Sequence, residues 1–294
     1  MRDEIKKVWP KWDVVSKLGE GGYGKVYKVK RETFGEVTYG AVKVIKIPSS
    51  QSEYEDLTVS GLDQSSVTVY FRNQVTQLLD EIRTMEKMKS ASHIVTIEDY
   101  EVVENEDEFG WTIFIRMELL ENLRAHFKEK PVTQEEVVKL GMHILTALDF
   151  CHECNIIHRD IKPDNIFISS FGEYKLGDFG IAREGSRHTT VMSQRGTYSY
   201  MSPEMFREGK CGKTVDLYAL ALTMYELLNH NRMPFLPPFP APFMPNDRED
   251  AVMRRLAGQE IPDATEASPE LNAILKKACS PVSKDRYRDR KSVV

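Results

Sequence analysis

The chain has 294 residues, 41% hydrophobic and 29% charged, with 40 basic against 45 acidic side chains and a formal net charge of −5. That length buries a sizeable core, as one large domain or two lobes, and the composition excludes both a disordered chain and a membrane bundle. An acidic balance also argues against non-specific nucleic-acid binding, which needs a basic field.

No window reaches the roughly 18 to 20 uninterrupted apolar residues of a membrane span, and the start "MRDEIKKVWP" lacks a signal-peptide core. Four cysteines are too few for a disulfide scaffold at this size. A cytoplasmic protein in a reducing compartment is the expectation.

Up to about residue 118 apolar residues mostly alternate. The segments "WDVVSKL", "GKVYKVKRE", "YGAVKVIKI", "HIVTIEDYEVV" and "WTIFIRMELL" read as five strands. One helix interrupts them, with Phe71, Val75, Leu78, Ile82 and Met85 recurring at three- and four-residue steps. Ahead of it, "PSSQSEYEDLTVSGLDQSS" is polar and acidic and reads as a surface insertion without structure of its own. After residue 120 the pattern is mainly helical, as in "TQEEVVKLGMHILTALDFCHE" and "TVDLYALALTMYELLN", with short strands only around 165 to 177. The six prolines of "MPFLPPFPAPFMP" forbid a helix there and read as a packed loop. In "CHECNIIH" the cysteines end an apolar helical run; with no second CxxC pair, a packed helix end is a better reading than a zinc site.

Gly19, Gly21 and Gly24 stand in GxGxxG spacing, where backbone without side chains can approach phosphates. A dinucleotide site would need this motif to open a helix, whereas Lys25 to Val29 alternate like a strand. The glycines therefore belong to a hairpin, as a flap over a phosphorylated ligand. Lys43 lies on a strand among apolar residues, where an ammonium needs a partner. Further along, "HRDIKPDNIFISSFGEYKLGDFG" crowds Asp160, Asn165 and Asp178 together between short apolar runs. A solvated face would spread such charges out.

With "GxGxxGxV" at 19–26, "AVK" ending at Lys43, "HRDIKPDN" at 158–165, "DFG" at 178–180 and "SPE" at 202–204, the sequence resembles the eukaryotic-type protein kinases from about Trp12 to Arg286. "SQRGTYSYMSPE" and "HNRMPFLPPFP" look most like the bacterial eukaryotic-like Ser/Thr members. The resemblance implies an α+β, bilobal fold: a small antiparallel five-stranded lobe with one helix (1–117), a hinge (118–122) and a larger, mainly helical lobe (123–294). It implies an ATP-dependent protein Ser/Thr kinase using Mg2+, with Mn2+ as an alternative metal. The implied partners are ATP and protein substrates, with no nucleic acid and no membrane contact by this segment. Dimerisation is left open, as is a place as the cytoplasmic kinase part of a longer protein.

Residue by residue, the resemblance makes Asp160 the group that accepts the acceptor hydroxyl's proton and Lys162 a contact to the γ-phosphate. Lys43 holds the α- and β-phosphates and pairs with Glu81 of the first helix. Asn165 and Asp178 hold the metal. Leu18, Gly19, Gly21, Gly24, Val26, Ala41, Met117 as gatekeeper, Glu118 and Leu120 frame the nucleotide. Asp216 braces the catalytic loop, Glu204 pairs with Arg286, and Thr197 has a structural role. Thr189, Thr190 and Ser193 are phosphorylation candidates whose phosphate would answer Arg159; a substrate-binding loop with no switch is the competing reading. A pseudokinase and a small-molecule phosphotransferase are the alternatives. The first usually lacks one of the Lys and Asp positions filled here, and the second generally lacks a long segment ending in SPE.

Overall fold

Alternation of apolar and polar residues puts the first half of the chain into strands, and a computed structural model shows how they pair. It describes residues 1–289 apart from 22, 23, 90, 106, 107, 129, 179–197, 210 and 211. The described residues fall into two compact units, one drawn from 1–90 and 95–120, the other from 91–94 and from 121 onward.

In the first unit, β1 (Asp13–Gly21), β2 (Gly24–Thr33), β3 (Glu36–Ile47), β4 (Ile97–Glu104) and β5 (Trp111–Met117) form one antiparallel sheet in the order β1-β2-β3-β5-β4. The register pairs Gly19 with Val26 and Gly21 with Gly24, so the glycine motif is a hairpin. A 24-residue helix, Gln64–Lys87, carries the expected apolar stripe, with Val67, Phe71, Val75, Leu78, Ile82 and Met85 all buried. Asp63 caps it, its carboxylate accepting from the Ser66 N–H at 2.8 Å.

Two further helices join the one expected. α1 (Arg2–Val8) seats Ile5 in a cluster with Trp12, Val29, Val42, Val44 and Phe114. The indole N–H of Trp9 donates to Asp99 at 2.8 Å, and the Arg116 guanidinium lies 5.5 and 4.9 Å from the Trp9 and Trp12 rings. The acidic insertion is not structureless: α2 (Gln51–Val59) runs through it, so the long helix Gln64–Lys87 is α3. α2 buries no residue, which is why apolar content failed to announce it. Ser50 caps it by accepting from the Glu53 N–H, and the Tyr54 ring stands 4.9 Å from that of Phe109.

In the second unit, β6 (Glu121–Asn122), β7 (Ile166–Ile168) and β8 (Tyr174–Leu176) form a small antiparallel sheet. Around it lie α4 (Leu123–His126), α5 (Gln134–Glu153), α6 (Pro203–Glu208), α7 (Thr214–Leu227), α8 (Pro245–Leu256) and α9 (Pro269–Ala278). A Thr133–Glu136 capping box opens α5. α7 is buried on nearly every face, the pattern of a central helix. Gly141 of α5 faces the flexible end of the Met224 side chain of α7, whose methyl lies 2.8 Å from where a Cβ would stand. The proline-rich stretch is loop up to Met244, as its composition requires, but its last proline, Pro245, opens α8, at a first helical position where proline is tolerated.

Candidate active site

The stretch from His158 to Asn165 is held from inside the second unit. Asp216, at the start of α7, is fully buried, and its carboxylate accepts from the backbone N–H groups of His158 at 2.9 Å and Arg159 at 2.8 Å, and from the His152 ring at 2.8 Å. Arg159 has φ +66, a left-handed conformation that side chains disfavour. Two consecutive amides aimed at one buried carboxylate hold that turn in place. The His158 ring donates from Nε2 to the Gly177 carbonyl at 3.0 Å and accepts at Nδ1 from the Asp160 N–H at 3.3 Å. Burial holds its pKa below the ordinary imidazole value, against the pull of Asp216, so the ring stays neutral.

Asp160, Lys162 and Asn165 come together. The Lys162 ammonium donates to Asp160 Oδ2 at 2.9 Å. Asn165 Nδ2 donates to the Asp160 carbonyl at 2.7 Å and to its Oδ2 at 3.1 Å. The Gly177 N–H donates to the Asn165 carbonyl at 2.9 Å, which ties the end of β8, and with it Asp178 at φ +50, to this loop. With its amide turned so that Nδ2 meets Asp160, Asn165 presents its Oδ1 on the other side of the amide. An amide oxygen and a carboxylate, as at Asn165 and Asp178, are ligand types that magnesium accepts while retaining water. Among the described residues no cluster of three or more His, Cys, Asp or Glu side chains suits a metal ion.

In the first unit, Lys43 sits in the middle of β3, paired in register with Val26 and Ile115, and is 6% exposed. Glu81 is on α3 one residue before buried Ile82, and α3 packs on β3 and β4. Leu18, Gly19 and Gly21 lie on β1, Gly24 and Val26 on β2, Ala41 buried on β3. Gly24 has φ +119, and a Cβ there would meet the Val44 carbonyl at 2.2 Å; no other residue fits. Met117 ends β5 opposite Ala41 and Ile97. Beyond it, Glu118 is fixed twice to Thr96, its N–H donating to the Thr96 carbonyl and its carboxylate accepting from the Thr96 N–H.

Glu204 and Arg286 meet in a bidentate pair, at 2.7 and 2.8 Å. Burial pushes the Glu204 pKa up, but Arg286 outweighs it and holds the carboxyl below its usual value. Thr189, Thr190, Ser193 and Thr197 lie outside the described residues, as do Phe179 and Gly180.

Several polar residues of this region carry no sequence motif and were not anticipated. Glu226, 6% exposed at the end of α7, accepts from the Tyr200 hydroxyl and from Arg124 at 3.4 Å. Burial raises its pKa, with Arg124 and Tyr200 acting in the opposite sense. Arg124 also donates to the Tyr200 oxygen and, from Nε, to Asp164 at 3.0 Å. The one available signal was a glutamate inside the apolar run of α7, where a charge needs a partner.

Residues 12–292 match the protein kinase domain family. The chain is 34% identical over 218 residues to the serine/threonine-protein kinase TIO of Arabidopsis thaliana, covering 74% of this chain and 14% of that protein. It is 26% identical over 298 residues to the "Probable serine/threonine-protein kinase PknB" of Lactococcus lactis, covering 97% of this chain and 41% of that one. With the Aurora kinase of Saccharomyces cerevisiae it shares 30% identity, over 94% of this chain and 66% of the relative. The chain thus spans less than half the length of the first two relatives.

Proposed function

Because the chain belongs to the protein kinase domain family, we propose that it is an active serine/threonine kinase, moving the γ-phosphate of ATP onto Ser and Thr hydroxyls of proteins. The observation that carries this reading is the arrangement at Asp160. Its carboxylate is oriented by Lys162 and by the Asn165 amide, on a loop clamped to Asp216. Phosphoryl transfer asks little covalent chemistry of a protein; it asks for position and charge compensation. Asp160 receives the acceptor hydroxyl's proton and aims its oxygen, while Lys162 neutralises charge on the phosphate in flight. Asn165 and Asp178 would hold magnesium, or manganese in its place, and the bound ion would supply charge compensation for the phosphate oxygens. Lys43, steadied by Glu81, and the glycine hairpin hold the triphosphate.

We assign the nucleotide base to Met117 and to backbone beyond it, with 118–122 as the hinge between an N-terminal lobe (1–117) and a C-terminal one (123–294). The Glu118 N–H is already given to Thr96, so the adenine edge takes its donor from residues past Glu118. Thr189, Thr190 and Ser193 are the proposed autophosphorylation sites. The Ser-Pro-Glu sequence and the 97% coverage of the Lactococcus relative favour a bacterial-type kinase. No described helix is long and apolar enough to cross a membrane; a cytoplasmic place is part of the same proposal.

Incubating the protein with Mg-ATP, with and without a chelator, and mapping phosphosites by mass spectrometry tests it. Chelator-sensitive phosphate on Ser or Thr is the expected result. Nucleotide binding without any transfer would make the chain a pseudokinase, and transfer to a small-molecule acceptor alone would place it in another class.

A further inference from the structure

Arg255 stands near the end of α8 in "AVMRRLAG" and is 3% exposed. Among the described residues its guanidinium makes four hydrogen bonds, all to neutral oxygens. Nη1 donates to the Met201 carbonyl at 2.6 Å and the Tyr218 hydroxyl at 2.8 Å. Nη2 donates to the Tyr198 carbonyl at 2.9 Å and the Ser199 carbonyl at 3.0 Å. Burying a cation is costly, and an apolar residue would fill the same space without that cost. What only arginine offers here is a planar fork with donors enough for three carbonyls of one short segment; a lysine could not span them.

That segment is the stretch of chain just before Ser202, and it is fastened on a second side. While Arg255 grips its backbone, the Tyr200 side chain bonds Glu226 and Arg124. Arg124 in turn holds Asp164, four residues from Asp160. By way of the backbone of 198–201, these hydrogen bonds link α8 to the loop that carries Asp160. They include none of the residues assigned to the nucleotide.

We propose that Arg255 is a positioning residue for the protein acceptor. By fixing the carbonyls of Tyr198, Ser199 and Met201 it sets where the acceptor chain lies relative to Asp160, without touching the reacting atoms. This rests on the kinase reading above.

The test uses the full chain and a peptide acceptor selected with the wild-type protein from a degenerate Ser/Thr library. In Arg255→Met, which keeps the stem and removes the fork, KM for the peptide rises about tenfold or more while KM for ATP stays within about twofold. Arg255→Lys, keeping the charge and one carbonyl contact, falls between. A merely structural role would lower the active fraction, and so kcat, while leaving both KM values in place. If Arg255→Met fails to fold, Arg255→Lys decides on the same split. A folded variant with wild-type peptide KM overturns the inference alone. A wild type that phosphorylates no library member overturns it together with the reading it rests on.

Discussion

The proposed catalytic loop, 158–165, and the glycine hairpin both need backbone in the left-handed region, and they reach it by opposite means. In the hairpin the solution is local: Gly24 sits at φ +119 with no room for a Cβ, and the neighbouring Leu18 is half exposed. In the loop the solution is tertiary. Arg159 adopts φ +66 with its side chain attached, and Asp216 accepts from its amide and that of His158, from a helix 57 and 58 residues away. Left-handed backbone at a non-glycine residue costs about 1–2 kcal/mol, so the loop keeps its shape only while its clamp is intact. A chemical site that must present three side chains in fixed directions cannot be made of glycine; a surface that must lie close to phosphates can.

This contrast can be broken at each end. Asp178→Asn leaves the loop's clamp in place and weakens the proposed metal site. Transfer should fall by roughly 10²–10³-fold, measured as initial rate against magnesium concentration, and a rate near wild type would remove Asp178 from the metal site. Asp216→Ala attacks the clamp itself. With two buried amides and the His152 ring left without their acceptor, stability should drop by about 2–4 kcal/mol in urea unfolding. Transfer by the folded protein should fall on the order of 10-fold or more as Asp160 loses its aim.

Gly24→Ala attacks the hairpin. A clash with the Val44 carbonyl and a strained φ should cost about 1–3 kcal/mol and raise KM for ATP several-fold, with peptide KM unaffected. Equal shifts in both constants would dissolve the distinction between the two regions. The smallest effect is in pH. His158 is buried neutral, its pKa held below the ordinary 6.5 by desolvation. As pH falls below 6.5 the unfolded chain takes up a proton that the folded chain refuses, so stability is lost until the folded value is passed. Between pH 7.5 and 5.5, wild type should lose more unfolding free energy than His158→Gln, and parallel profiles would count against a neutral buried ring.

The strands of the first unit were legible from their apolar, β-branched runs between turn residues, although their burial is uneven: β1 buries no residue, while β3 and β5 are buried on both faces over 40–45 and 111–115. The cluster around Asp160 was legible too, because its charges have no reason to sit among apolar runs unless something fills the space between them. α1 was not legible: seven residues carry too little periodicity, and its hold on the sheet comes through Ile5 and the adjoining Trp9, whose partners Val29, Val42, Phe114 and Asp99 are distant in sequence. α2 was misjudged because a helix with no buried residue has no apolar stripe, although Ser50 with Glu53 was a capping signal in plain sight. Arg255 was invisible for a different reason. Its partners are mostly backbone carbonyls 54 to 57 residues away, and carbonyls have no letter in a sequence.

The claim on which the rest depends is that Asp160 serves the acceptor and not the nucleotide. Asp160→Ala measures it directly, with ATP affinity by fluorescence titration and single-turnover phosphoryl transfer by rapid quench on the same preparation. Transfer should fall by at least ~10²-fold, the scale of a positioned general base, with ATP affinity within about threefold of wild type. Transfer that survives near the wild-type rate, or an ATP affinity that collapses along with it, would contradict the account.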